Sequence, residues 1–182
     1  VATHQQGPFV VGVKDLVHRP GEMREHVLTV KTPEHYGEAI AVVPEGQDIT
    51  VSVRLEGLHE GILATGEVSV SAHAECVRCL DACEIPVQVD FQELFAYSSS
   101  EADSYLVVDD SLDLGGIIRD AVVLDLPFQP VCSPECYGLD PETGEKRTGP
   151  APDHQESDID PRWRELEKLL QPDQTEASTD HE

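Results

Sequence analysis

The sequence predicts an α+β domain: an antiparallel β meander or partly closed barrel with one packed helix, a cysteine cluster and a short C-terminal helix. Three observations predict it. Apolar residues alternate with polar ones at Ile49, Val51, Val53 and Leu55, and again at Ile85, Val87, Val89 and Phe91, as half-buried strands require. An apolar helical face runs through Leu114, Ile117, Ile118, Ala121, Val122 and Leu124 and stops before Pro127. Five cysteines fall into two groups, Cys76, Cys79 and Cys83 in one and Cys132 and Cys136 in the other.

The elements follow in order. Phe9, Val11 and Val13 alternate as in a strand, and Pro20-Gly21 marks a turn. Val27 to Val30 predicts a second strand, stopped near Pro33. The strand at 49–55 leads to a turn region between Gly57 and Gly61, and a long strand from Ile62 to Ala74 runs into Cys76. Together with 85–91 these segments predict a meander over 49–95. The Cys76/Cys79 pair sits where one strand ends and the next begins. Backbone N–H groups of such a knuckle can bond to thiolate sulfurs and ease their charge. Residues 96–111 read as an acidic, Ser-rich loop, with Asp113 as the expected N-cap of the helix, and Asp110 or Ser111 as alternatives.

The domain organisation divides at a composition shift. Residues 1–139 form the β-rich core domain with the cysteine site. Residues 140–159, rich in Pro, Gly, Asp and Glu, read as an acidic disordered linker. A short docking helix over 160–170 starts at Asp160-Pro161 and carries Trp163, Leu166, Leu169 and Leu170 on one face. Residues 171–182 read as a disordered tail.

Composition narrows the function. The chain has 182 residues, 12 Lys+Arg against 36 Asp+Glu, and a net charge of −24. Segments 1–75, 76–139 and 140–182 are each net negative. A broad phosphate-gripping surface is therefore excluded, and anionic membranes repel such a chain. A basic protein is the partner it attracts. No apolar run approaches the roughly 18 residues of a membrane helix and no signal-like series is present, so a cytoplasmic protein without membrane contact is expected.

Cys76 and Cys79 are a C-x2-C pair, and Cys132 and Cys136 a C-x3-C pair. Each pair can span one edge of a tetrahedral metal, so these four thiolates are the candidate ligands of a structural Zn2+ site. Free thiols and a redox switch are the competing readings. A redox pair of the thioredoxin kind sits at a helix N-terminus, whereas this one interrupts a meander. Cys83 fits no pair and reads as a spare thiol or substitute ligand, and His73 as a surface strand residue or an auxiliary ligand. Arg78 and Arg119, the only basic residues within 76–139, read as local salt-bridge partners. No acid/base couple, phosphate loop or nucleophile motif stands out, which predicts a protein that is not an enzyme.

A set of motifs resembles a known family. It comprises Val11-Gly12-Val13-Lys14-Asp15-Leu16, Arg19-Pro20-Gly21-Glu22, Cys76-Val77-Arg78-Cys79-Leu80 and Leu112-Asp113-Leu114. Leu126 to Cys132, Gly138-Leu139 and Asp160-Pro161-Arg162-Trp163 complete it. Over most of residues 9–170 this order resembles the YceD family, the bacterial large ribosomal RNA subunit accumulation proteins, in an actinobacterial-like form. Many relatives continue Gly-Leu-Cys-x-x-Cys-Gly, and here Asp140 and Thr143 stand where those cysteines are. The resemblance implies a non-catalytic ribosome-assembly factor supporting 23S rRNA accumulation and large-subunit biogenesis. Its expected partner is a basic ribosomal protein or assembly factor, with rRNA contact indirect. A thiol or zinc redox-sensing regulator is the alternative, and an RNA-processing hydrolase a third reading.

Overall fold

The structure is a computed structural model that describes residues 7–38, 40–98 and 105–150. Its elements are β1 (Val10–Gly12), β2 (Met23–Lys31), β3 (Ala41–Val42), β4 (Asp48–Gly57), β5 (Gly61–Glu75), β6 (Ala82–Ala96), β7 (Ser111–Asp113) and α1 (Gly115–Asp125). The β-branched alternation of β4, β5 and β6 builds consecutive antiparallel neighbours, as expected for a meander. β2 adds to the outer side of β4, and β3 pairs with the far end of β5. The sheet is open, with β2 and β6 as its outer strands, and does not close into a barrel. β1 and β7 pair antiparallel in a separate small sheet.

Register decides the core. Ile49, Val51, Val53 and Leu55 of β4 share one face with Ile62, Ala64, Val68 and Val70 of β5, all buried. Val87, Phe91 and Phe95 of β6 continue that face, and α1 closes it with Ile117, Ile118 and Val122. Gly66 lies opposite Phe91, and a Cβ there would stand 2.8 Å from the ring and 2.5 Å from the Ser52 carbonyl oxygen. Only a glycine lets that ring lie against the sheet.

Three details differ from the sequence reading. β7 occupies Ser111–Asp113, which the pattern assigns to a loop end and cap. Pairing with β1 supplies the backbone partners that three residues cannot supply alone. The N-cap position is Leu114, not Asp113, yet Asp113 Oδ1 still accepts the Gly115 N–H at 2.9 Å. Finally, the compact unit extends past residue 139 to Lys146. Residues 139–146 form a tight turn: Leu139 bridges Lys146, and Asp140 N–H donates to the Glu145 carbonyl at 2.8 Å. Residues 147–182 are a second unit, and its segments 151–159, 160–170 and 171–182 lie outside the described residues. No helix among the described residues is long and apolar enough to cross a membrane.

Candidate metal centre

The β5–β6 connection makes the first half of the site. β5 ends at Glu75 and β6 begins at Ala82, so Cys76–Asp81 must reverse the chain in a few residues. Cys76 N–H donates to the Asp81 carbonyl and Leu80 N–H to the Cys76 carbonyl, both at 2.8 Å. Leu80 takes a left-handed φ of 61° to complete the turn. The Cys76 sulfur then accepts backbone N–H bonds from Cys132, Cys79 and Arg78, and the Cys79 sulfur accepts one from Asp81. This is the expected knuckle, with the added feature that the second cysteine turn donates to the first.

That second turn follows α1. Pro127 and Pro130 forbid further helix, and Cys136 N–H donates to the Ser133 carbonyl at 3.0 Å. Further bonds tie it to the knuckle. Val77 N–H reaches the Pro130 carbonyl at 2.9 Å, and Leu139 N–H reaches the Arg78 carbonyl at 3.1 Å. The Arg78 guanidinium donates to the Cys136 carbonyl at 2.9 Å. Gly138, at φ +79°, lets the chain pass Arg78, since a Cβ would meet the Arg78 carbonyl oxygen at 2.9 Å.

The result is convergence. The four sulfurs of Cys76, Cys79, Cys132 and Cys136 all lie within 4.8 Å of one another. Cys76 and Cys136 are 3.9 Å apart and Cys79 and Cys132 3.6 Å apart. A tetrahedral metal with bonds of about 2.3 Å needs sulfur edges of about 3.8 Å. Two of the edges lie close to that length, and the set can hold a metal ion. Cys76 and Cys79 are buried, Cys136 is half-buried and Cys132 is exposed.

Proton affinities split across the cluster. The Cys132 N–H leads the backbone donors that lower the Cys76 thiol to about 6, against the opposing effect of burial. Cys132 is pushed up to about 12, first by its hydrogen bond with Cys79 and then by those with Cys136 and Cys76. The Cys76 thiolate forms readily and then opposes ionisation of Cys79 and Cys132. A cation at the centre removes that conflict.

Cys83 is half-buried at the start of β6 and His73 is exposed on β5; neither joins the group of four. Arg119 binds Asp120, as expected of a local salt bridge. Arg78 differs, since its guanidinium donates to the carbonyls of Pro134 and Cys136 rather than to a carboxylate. Sequence reading missed Lys146, which pairs with Asp81 of the knuckle and feels the charges of Cys79 and Cys132. It lies in a segment whose composition reads as linker, so no local signal marks it.

Residues 64–170 match the model of the family described as large ribosomal RNA subunit accumulation protein YceD. That match takes in both cysteine turns. The chain is 39% identical over 177 residues to uncharacterized protein Rv2926c of Mycobacterium tuberculosis, covering 93% of this chain and 85% of the relative. It is 36% identical over 182 residues to uncharacterized protein ML1660 of Mycobacterium leprae, covering 96% and 83%. It is also 29% identical over 103 residues to uncharacterized protein YlbN of Bacillus subtilis, covering 54% and 60%. No solved structure matches. With more than half its length under the family model and both cysteine turns inside it, the chain belongs to the YceD family.

Proposed function

We propose that this protein is a non-catalytic factor that supports accumulation of large-subunit ribosomal RNA, 23S in bacteria, and so assembly of that subunit. It acts through contact with a basic ribosomal protein or assembly factor in the cytoplasm. A structural zinc ion held by Cys76, Cys79, Cys132 and Cys136 clamps the β5–β6 knuckle to the segment after α1. The convergence of those four sulfurs carries the reading, because a closed four-thiolate set suits structural zinc and leaves no open position for substrate. The family description supplies the link to ribosomal RNA. The net charge of −24 supports protein rather than phosphate as the direct partner.

Metal analysis and native capture test it together. Freshly purified protein is expected to hold one zinc per chain, and affinity capture at low salt to return basic ribosomal proteins or assembly factors. Metal-free protein with an intact fold would overturn the zinc clamp. The redox-sensing alternative needs an accessible thiolate. Cys76 has the lowered proton affinity for it but no solvent exposure, which favours the structural role.

A further inference from the structure

β6 is the outermost strand on its side of the sheet. Its register with β5 runs from Gly61↔Ala96 to Glu75↔Ala82 without a bulge. Parity alone therefore decides which backbone groups face outward. Ala96 settles the parity. Its N–H donates to the Tyr105 carbonyl and its carbonyl accepts from Val107, both away from β5, whereas Tyr97 N–H turns back to Glu60. Even-numbered residues of β6 thus aim their N–H and C=O groups at the free edge. Gln88, Asp90, Gln92 and Leu94 form that row, and none has a backbone partner there among the described residues. Pro86 belongs to the same row and lacks an N–H. It blocks pairing upstream and leaves the stretch after it open.

A groove of about 460 Å³ lies along that open stretch. β6 forms one wall from Val89 to Glu93, and α1 forms the other with Ile117, Ala121 and Leu124. Leu124 is 83% exposed, an apolar side chain with no cover. The groove also carries Asp90, Glu93, Asp120 and Asp125. Arg119 is the only cation on α1, and it is engaged by Asp120. An unpaired strand edge beside a helix is the layout into which an extended peptide adds as a further strand. The carboxylates select a guest rich in Lys or Arg and reject nucleic acid.

We infer that the free edge of β6 and the flank of α1 form a docking groove for an extended, basic segment of a partner protein, bound by strand addition. The inference deepens the protein-contact reading above and rests on it. The guest pairs with the edge groups of Gln88 to Leu94. Its apolar side chains lie against Ala121 and Leu124, and its cations meet the carboxylates.

The test uses the full chain with its metal and a synthetic peptide of about ten residues alternating Lys and Val, long enough to span the edge. Fluorescence anisotropy at low salt reads binding. Two versions N-methylated on alternate residues, one on the Lys row and one on the Val row, and a version with Glu for Lys, are the controls. The Lys peptide is expected to bind, at least one N-methylated version to weaken about tenfold or more, and the Glu peptide not to bind. Gln92→Pro removes an outward N–H while keeping the β5 ladder, and is expected to weaken binding about tenfold. Leu124→Ser and Asp125→Lys change exposed side chains only and are expected to weaken it likewise, so the test stands if Gln92→Pro fails to fold. Equal binding of parent and both N-methylated peptides would reduce the contact to charge attraction and overturn strand addition. Absence of peptide binding, or β6-to-β6 dimerisation by the free chain, would also overturn it. Variants that block the peptide but still capture basic proteins from lysate would place the partner elsewhere and leave the broader reading standing. Peptide binding with the expected pattern, but no basic protein captured by the native chain, would keep the groove and sink the broader reading.

Discussion

Arg78 sits between two candidate ligands, yet its guanidinium points to the opposite turn and donates to the carbonyls of Pro134 and Cys136. It fixes where the Cys132/Cys136 turn lies relative to the knuckle. Arg78→Ala keeps all four sulfurs and is expected to lower metal affinity about tenfold to a hundredfold, as loss of an orienting partner does; competition with a chromophoric chelator measures this. Cys83→Ser is expected to leave metal content unchanged, because Cys83 lies outside the converged set. Cys79→Ser is expected to lose the metal, and metal loss from the Cys83 variant instead would identify a wrong fourth ligand. A pH dependence belongs to Cys76 in the metal-free protein. Hydrogen bonding led by the Cys132 N–H lowers it from 9.0 to about 6. A depressed pKa adds stability that is complete above 9.0 and is lost as pH falls through about 6. Cys132, raised to about 12, acts only above pH 9.0 and with the opposite sign. Thermal melting of metal-free protein is therefore expected to rise from pH 6 to pH 9, and a flat profile would remove the Cys76 thiolate from the fold's energetics.

The elements divide into those that local pattern fixes and those that a partner fixes. Period-two alternation over Ile49–Leu55 and Ile85–Phe91 marks strands because one face of each must be buried. Cysteine spacing marks the two halves of the metal set for an equally local reason, since each pair spans one coordination edge. β3, with two residues, and β7, with three, have no readable period, and both exist only because β5 and β1 offer backbone partners. The Lys146–Asp81 contact and the Arg78 clamp were illegible for the same reason: each joins segments more than 50 residues apart in sequence. The turn at 139–146 reads as linker because its composition is polar, but backbone bonds and Gly144 at φ +72° close it. Packing predictions sit at this scale. Ile118→Ala in the buried face of α1 is expected to cost about 2–5 kcal/mol in chemical denaturation. Gly66→Ala forces the Phe91 ring off the β5–β6 hairpin and is expected to cost about 1–3 kcal/mol. A silent Gly66→Ala would mean that the ring has room the register does not show.

At the scale of the whole molecule, charge and architecture point the same way. An open sheet leaves two outer strands, and natural edges are guarded by charge, proline or cover. β2 carries Arg24, Glu25 and Lys31, with Arg24 tied to Asp15 and Lys31 to Asp48. β6 has Pro86 and an acidic border. A sheet guarded by carboxylates repels copies of itself and anything polyanionic, while a cationic partner meets no barrier. The net charge of −24 extends that bias over the full chain. The neighbourhood of the cysteine site adds little positive charge: Arg78 is committed to carbonyls and Lys146 to Asp81. Few cations are thus left to displace counterions from RNA, and counterion release supplies most of the non-specific affinity of such complexes. Purified protein is expected to bind naked 23S fragments only weakly at physiological salt. Its association with a basic protein is expected to survive RNase and to weaken steadily as salt rises, because opposite charges at a solvated surface are screened over a Debye length of about 8 Å at 0.15 M. The salt series distinguishes the cases. A steep loss of protein association with intact RNase-treated complexes supports charge-guided protein contact. Tight, salt-resistant binding of the pure chain to 23S fragments would require a recognition surface built without cations, and would overturn the protein-contact mechanism.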